Sequence, residues 1–427
     1  MEKYYGRRLL KKDIPTVWLK GLKQMPSMVE IGLSIQCQRC GEIFDKLSVE
    51  LPNKSYYCSA CILMGRVRSS EPLYYYPEPA KQPLSEPVLR WRGQLTTNQE
   101  LISKALVDSS RDILVHAVTG AGKTEMIYQR LAKGLLAGEH ICLTSPRVDV
   151  CIEIYQRLAR DFTVSMRLLY AHGDEYVHSN LVVCTVNQLM RFYQSFDLLI
   201  VDEVDAFPLV NNPNLMWAVE KAKRMNAQTI FLTATPTLAL KNKVAKGELH
   251  ALVLAKRFHG FPLVMPKFTW CYAILTSIQN GRLPKKIYQS IYQQRLTKFP
   301  LLIFMPEIEI GKKLQVILQK EMPSEKIGFI ASESENRKEI SQKFKSGDYT
   351  ILIATTVLER GVTFPMVDCF VLASHHRIFT TESLVQIAGR VGRDKNRPTG
   401  QLILFHQGFT RAMRLMNRNI REMNREV

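Results

Sequence analysis

From about residue 95 the apolar residues gather into short runs. Residues 112–118 (DILVHAV), 140–145 (HICLTS), 180–186 (NLVVCTV), 196–202 (FDLLIVD) and 228–234 (QTIFLTA) form one series. Residues 299–305 (FPLLIFM), 326–331 (KIGFIA), 349–355 (YTILIAT), 368–373 (DCFVLA) and 400–406 (GQLILFH) form a second. The runs are near-continuous rather than alternating, the pattern of strands buried on both faces. Helix-length stretches separate them. Strand–helix alternation of this kind predicts a parallel, doubly wound sheet, here twice in tandem. The α/β lobes are expected at 95–260 and 285–427. The connector is expected at 261–284, beginning within "KRFHGFPLVMPKF".

The first 94 residues follow a different grammar. Pro72, Pro77, Pro79, Pro83 and Pro87 fall close together and forbid a helix or central strand. A stiff linker or extended arm is expected over 66–94. Tyr74, Tyr75 and Tyr76 within it are expected to pack on a neighbouring domain, with base stacking as the sharper alternative. Residues 1–36 read as a basic arm. Arg7, Arg8, Lys11 and Lys12 show no periodicity and are expected to be mobile. At the other end, Arg411, Arg414, Arg418, Arg421 and Arg425 fall on one helical face, opposite Met413, Met416, Ile420 and Met423. That helix is expected to pack its methionines on the second lobe and turn its arginines to water. A track for DNA, a partner or a membrane surface is the alternative.

Charge narrows the partners. Lys and Arg number 58 against 39 acids, a formal net charge of +19. Such a balance suits a polyanion, either nucleic acid or an anionic membrane surface. No run approaches the ~18 apolar residues that span a bilayer, and no signal-like core follows the basic start. A cytoplasmic protein is expected, with peripheral placement at the inner face of the membrane left open. Nine cysteines in such a compartment argue against a disulfide framework. Cys142, Cys151, Cys184, Cys271 and Cys369 read as buried small hydrophobes.

The other four cysteines are clustered. Cys37, Cys40, Cys58 and Cys61 form C-x2-C-x17-C-x2-C. Two C-x-x-C knuckles can close a tetrahedron of thiolates around Zn2+ and leave no open position for catalysis. A structural zinc module is expected over 37–65, with a short hairpin turning at "PNK". Arg39, Lys46, Lys54, Arg66 and Arg68 would give it a positive surface for DNA or a partner. Docking on the first lobe alone is the bland alternative.

Phosphate chemistry follows the first strand. Residues 117–124 read AVTGAGKT, a P-loop in which Ala117 stands where the first glycine belongs. Thr119, Gly120, Ala121 and Gly122 would turn backbone N–H groups toward a phosphate, Lys123 would reach the β and γ phosphates, and Thr124 would bind Mg2+. An acidic box ends the fourth strand. Asp202 would hold Mg2+, Glu203 would orient or deprotonate water, and Asp205 would couple to the next motif.

These residues resemble the superfamily-two DExD/H-box helicases, whose RecA-like lobes carry their motifs in this order. The resemblance implies an adenine-reading Gln99 and nucleic-acid contacts at Arg147 ("TSPRVDV"), Thr185 ("CTVNQL"), Thr355 and Arg360 ("ATTVLERGVTFP"). It implies coupling by Asp205 with Thr233 and Thr235 ("LTATPT"), and nucleotide contacts at Gly361 and Gln386. Arg390 and Arg393 ("QIAGRVGR") would come from the second lobe to offset charge on the γ-phosphate. D-E-V-D, T-A-T and Thr363 depart from the DEAD-box pattern and look nearer the primosomal type of DNA motor. The cysteine module, "DEVDAFP" and "RGVTFP" together resemble the late-competence ComFA family of DNA-uptake ATPases. That resemblance implies ATP, Mg2+ and Zn2+ as cofactors. It implies single-stranded DNA, a membrane uptake channel and a small phosphoribosyltransferase-like competence protein as partners, with self-association left open. A replication-restart or RNA helicase remains an alternative, as does a nucleic-acid-binding adaptor with a dead ATP site.

Overall fold

The computed structural model describes residues 2–85, 87–171, 173, 175–355 and 364–425. The chain divides into two compact units, Met1–Val115 with Thr124–Leu252, and His116–Lys123 with Val253–Val427. Each is built on one of the RecA-like parallel sheets.

The first sheet runs, edge to edge, His250–Leu254, Ile113–Ala117, Lys223–Thr233, Phe196–Asp202, Ile141–Ser145, Leu181–Thr185, Met166–Leu169. Phe196–Asp202 pairs in parallel with both neighbours, Leu199 facing Thr229 on one side and Cys142 on the other. Every residue of Ile141–Ser145 and Leu181–Thr185 is buried, as their continuous apolar runs require. The two edge strands, Met166–Leu169 and His250–Leu254, are half-exposed; Arg167 interrupts the first, whereas the second is apolar from Ala251 on. Two helices of this lobe begin at strong caps. Thr96 and Gln99 form a reciprocal capping box on Thr97–Asp108, and Asn212 caps Pro213–Ala222 with proline at its start.

Two small antiparallel sheets precede this lobe. Leu73–Tyr75 lies between Arg8–Leu9 and Lys23–Met25, and Ser34–Cys37 lies between Met28–Ile31 and Ile43–Asp45. The hairpin expected between the cysteine pairs is reduced to a bridge between Glu50 and Tyr56, turning through Lys54 at φ 62°. The proline-rich stretch is laid along the first lobe. Tyr74 is buried, the Tyr75 ring meets Tyr193 edge-on at 5.1 Å, and Val88 accepts a hydrogen bond from the Thr163 amide at 3.0 Å.

The expectation of mobility fails at Arg7 and Arg8, which are both buried. Arg8 donates to the carbonyls of Gln38 (2.6 Å), Arg39 (2.8 Å) and Met190 (3.1 Å). A guanidinium tolerates burial when carbonyls meet its donors, and these carbonyls lie 30 to 182 residues away in sequence. Glu78, from the same proline-rich stretch, is buried too. Its Oε1 meets His178 Nε2 at 2.5 Å and His140 Nδ1 at 3.1 Å, and its Oε2 accepts from Ser195 Oγ at 3.0 Å.

The second sheet runs Lys267–Trp270, Leu402–His406, Asp368–Val371, Leu301–Phe304, Ile351–Ala354, Ile327–Ile330, and every pairing is parallel. The strand Lys267–Trp270 and the helix Ile274–Gln279 form within the stretch expected to be a connector. Asp368 is buried and fully engaged, with Arg397 Nη2 on both oxygens (2.7 and 2.9 Å), Gln294 Nε2 at 2.7 Å and the Gln401 amide at 2.7 Å. In the last helix, Arg411–Arg425, Met413, Met416 and Ile420 are buried while all five arginines are exposed. Among the described residues no helix is long and apolar enough to cross a membrane.

Candidate nucleotide site and cysteine cluster

The four cysteines converge. Cys37 and Cys61 sulfurs are 3.9 Å apart, Cys40 and Cys58 3.5 Å, and Cys58 and Cys61 3.4 Å. Thiolates on one tetrahedral zinc, at about 2.3 Å per bond, sit about 3.8 Å apart, so the donor set fits that ion. Gly41 at φ 80° makes the turn after the first knuckle, where its amide donates to the Cys37 carbonyl at 2.8 Å. Sulfurs this close cannot ionise independently. Hydrogen bonding with Cys37, and after it the other sulfurs, holds the Cys61 thiol far below its ordinary value. The same partner pushes Cys40 and Cys58 far up.

Arg39 serves this cluster and not an outer surface, contrary to the expectation. It is buried, with Nε 3.3 Å and Nη2 3.0 Å from Cys61 Sγ, and it also donates to the Cys61, Met64 and Gly65 carbonyls. The whole ribbon shares a hydrophobic core with the first lobe, and a methyl on Gly41 would overlap the Trp217 side chain.

The phosphate loop follows Ile113–Ala117. Ala117 ends the strand and is fully buried, a place that needs no glycine. Gly120 (φ 84°) and Gly122 (φ 73°) take left-handed backbone conformations, where a side chain would be strained. Lys123 Nζ lies 3.5 Å from the Ala117 carbonyl, and the helical turn Lys123–Met126 begins there, with Thr124 in it.

Within the second unit this loop meets the arginine-rich turn. Thr119 Oγ1 donates to Gln386 Oε1 at 3.2 Å. A methyl on Gly389 would overlap the Thr119 side chain, which accounts for the glycine there. The Arg393 side chain lies against Gly120, and Arg390 is buried. Arg257 and His259, missed from the sequence, hold this turn. Arg257 Nη1 donates to the carbonyls of Val391 (2.8 Å) and Gly392 (2.5 Å), and His259 Nε2 lies 3.0 Å from the Gly392 carbonyl. Burial, then Arg393, brings the Arg257 guanidinium down to about 10. A lone basic residue in an irregular connector carries no periodic signal that could have pointed to it.

In the first unit the acidic box closes Phe196–Asp202. The Glu203 amide (φ 52°) donates to Asp202 Oδ1 at 2.9 Å. Asp205 is buried and accepts from Thr233 Oγ1 at 2.6 Å and Thr235 Oγ1 at 2.5 Å, so these three stand together. Gln99 is buried, its Oε1 accepting from the Thr96 amide at 2.8 Å. Arg147 precedes the helix Val148–Asp161 and is half-buried, whereas Thr185 and Thr355 are buried. Arg360 and Gly361 lie outside the described residues.

Comparison with known proteins follows the same divisions. Residues 1–75 match the model of the competence protein ComFA N-terminal domain, residues 96–242 that of the DEAD/DEAH box helicases, and residues 284–395 that of the helicase conserved C-terminal domain. The chain is 48% identical to the competence protein ComFA of Streptococcus pneumoniae, over 99% of this chain and 98% of that protein. To the competence protein ComFA of Bacillus subtilis it is 35% identical, over 91% of this chain and 85% of that one. S. cerevisiae Dbp5, solved bound to RNA and ADP BeF3, covers 78% of this chain with 88% of its own, at a TM-score of 0.58 and 16% identity. That last likeness is one of fold.

Proposed function

The chain belongs to the ComFA family of competence proteins with helicase domains, and from that premise we propose that it is an ATP-driven translocase of single-stranded DNA acting in DNA uptake. The observation that carries this reading is the meeting of the phosphate loop with Gln386 and Arg393. Gly120, Ala121, Gly122, Lys123 and Thr124 would hold the phosphates of ATP, and Thr124 with Asp202 would hold Mg2+. Bound ATP supplies the cleavable γ-phosphoryl group. Glu203 orients the attacking water, and Arg390 and Arg393 offset charge as it develops. Arg257 keeps those arginines in place. Asp205, Thr233 and Thr235 form a charged, buried link between the acidic box and the neighbouring strand end, suited to transmit a change at Asp202.

Zn2+ on Cys37, Cys40, Cys58 and Cys61 would act as a staple for a module too small to hold its own core. The membrane uptake channel and the phosphoribosyltransferase-like companion belong to the same proposal, and co-purification from competent cells tests them.

The decisive experiment is steady-state ATP hydrolysis by the zinc-replete chain, alone and with single-stranded DNA, duplex DNA or RNA, beside Lys123→Ala. Strong stimulation by single-stranded DNA, absent in Lys123→Ala, supports the translocase. Stimulation by RNA alone turns the reading to an RNA helicase, and no hydrolysis with any polymer leaves an adaptor.

A further inference from the structure

The first unit contains a cleft of about 510 Å3, away from the phosphate loop and bordered at Gln188 by the 184–189 motif, lined in part by Lys3, Tyr4, Arg7, Tyr170, Tyr176 and Arg191. Arg7 is only 9% exposed, yet among the described residues its guanidinium has no carboxylate or carbonyl partner. Its contacts are the faces of Tyr176 and Phe192, at 5.0 and 5.2 Å. Arg191 is half-buried and near enough to repel Arg7, and its Nε is buried without a partner. The Tyr176 hydroxyl, buried on the same wall, also lacks one. Among the described residues two acids reach the cleft, the exposed Asp13, which attracts Arg7 without bonding it, and Glu175, which is taken by Lys3 at 2.5 Å.

Burying a guanidinium without a hydrogen-bonded partner is costly, and placing a second like charge beside it adds to the cost. Stacking on two rings offsets part of this for Arg7 and nothing for Arg191. A fold keeps such an arrangement when a ligand completes it. Two guanidinium groups lining one cleft match the oxygens of one phosphate. The half-buried rings of Tyr4 and Tyr170 offer apolar faces to whatever carries it.

We propose that this cleft is a phosphate site, in which Arg7 and Arg191 bind the phosphate of a nucleotide or of a nucleic-acid strand end. The site is separate from the phosphate loop, and the proposal does not depend on ATP hydrolysis.

The test uses the full, zinc-replete chain carrying Lys123→Ala, so that the phosphate loop contributes little, with and without Arg191→Gln. Thermal unfolding is read in inorganic phosphate against chloride at equal ionic strength. Phosphate should raise the melting temperature of the parent, and Arg191→Gln should weaken that response at least tenfold in concentration. Without phosphate, Arg191→Gln should melt higher than its parent, because a like charge has gone. A misfolded variant would melt lower, and Arg191→Lys, which keeps the charge, should retain part of the response. Thymidine 5′-monophosphate displacing inorganic phosphate identifies a nucleotide. Tighter binding of a 5′-phosphorylated oligodeoxynucleotide than of its unphosphorylated twin identifies a strand end. A parent that responds equally to phosphate and chloride overturns the proposal, as does a phosphate response unchanged in Arg191→Gln.

Discussion

Glu78→Gln removes a charge from the point where the proline-rich stretch meets the first lobe. The Glu78 side chain is 3% exposed and touches His140, His178 and Ser195, while Gly6 packs so close that a methyl there would overlap Glu78 Oε2. Burial pushes the carboxyl up, but His140 and then His178 overcome this and bring it down to about 2, from an ordinary 4.5. A displacement of that size is worth about 3 kcal/mol to the folded state when the group is charged. Because the folded value lies below the unfolded one, this contribution is complete above pH 4.5 and is lost as pH falls through about 2. Glutamine imitates the protonated carboxyl in shape and charge. At pH 5, where the carboxyl is charged and an ordinary imidazole carries its proton, Glu78→Gln should therefore lose about 3 kcal/mol, or roughly 6–12 °C in the first unit's melting temperature. Tryptophan fluorescence suits the assay, since Trp18, Trp91 and Trp217 lie in the first unit and only Trp270 in the second. Between pH 4.5 and 2 the two proteins should converge. A difference under about 1 kcal/mol at pH 5, or parallel curves across that window, would refute the reasoning.

Cys58→Ser should lower zinc content and open residues 1–75 to protease, since metal-linked folding energy on the order of 10 kcal/mol is at stake in such sites; metal analysis and limited proteolysis check it. Arg257→Met leaves the Val391 and Gly392 carbonyls without their buried donor. It should cut kcat for ATP by ~10- to 100-fold with a small change in KM, and Arg257→Lys should recover part of the loss. Asp205→Asn removes the charge that Thr233 and Thr235 donate to. It should cost about 2 kcal/mol of stability and lower the ratio of DNA-stimulated to basal turnover, both measurable on one preparation.

The central strands, the cysteine knuckles and the phosphate loop were legible because each is written in local chemistry. A strand buried on both faces must be apolar throughout, as 141–145 and 181–185 are. A tight knuckle needs its two cysteines three residues apart, and a phosphate cradle needs Gly120 and Gly122 where φ is positive. The methionine face of the last helix is legible for the same reason, because helical periodicity relates neighbours. Edge strands such as 166–169 and 267–270 escaped, since a half-exposed strand carries a mixed pattern. Arg7 and Arg8 read in sequence as a mobile arm and Arg39 as surface charge, Glu78 and Arg257 carry no signal there, and tertiary structure alone decided the place of all five. A charged side chain looks the same in a sequence whether water or protein surrounds it. What decides is whether remote groups arrive to compensate its burial: carbonyls for Arg8 and Arg257, thiol sulfur for Arg39, imidazoles for Glu78. Those partners come from residues that only the folded chain brings within hydrogen-bond reach.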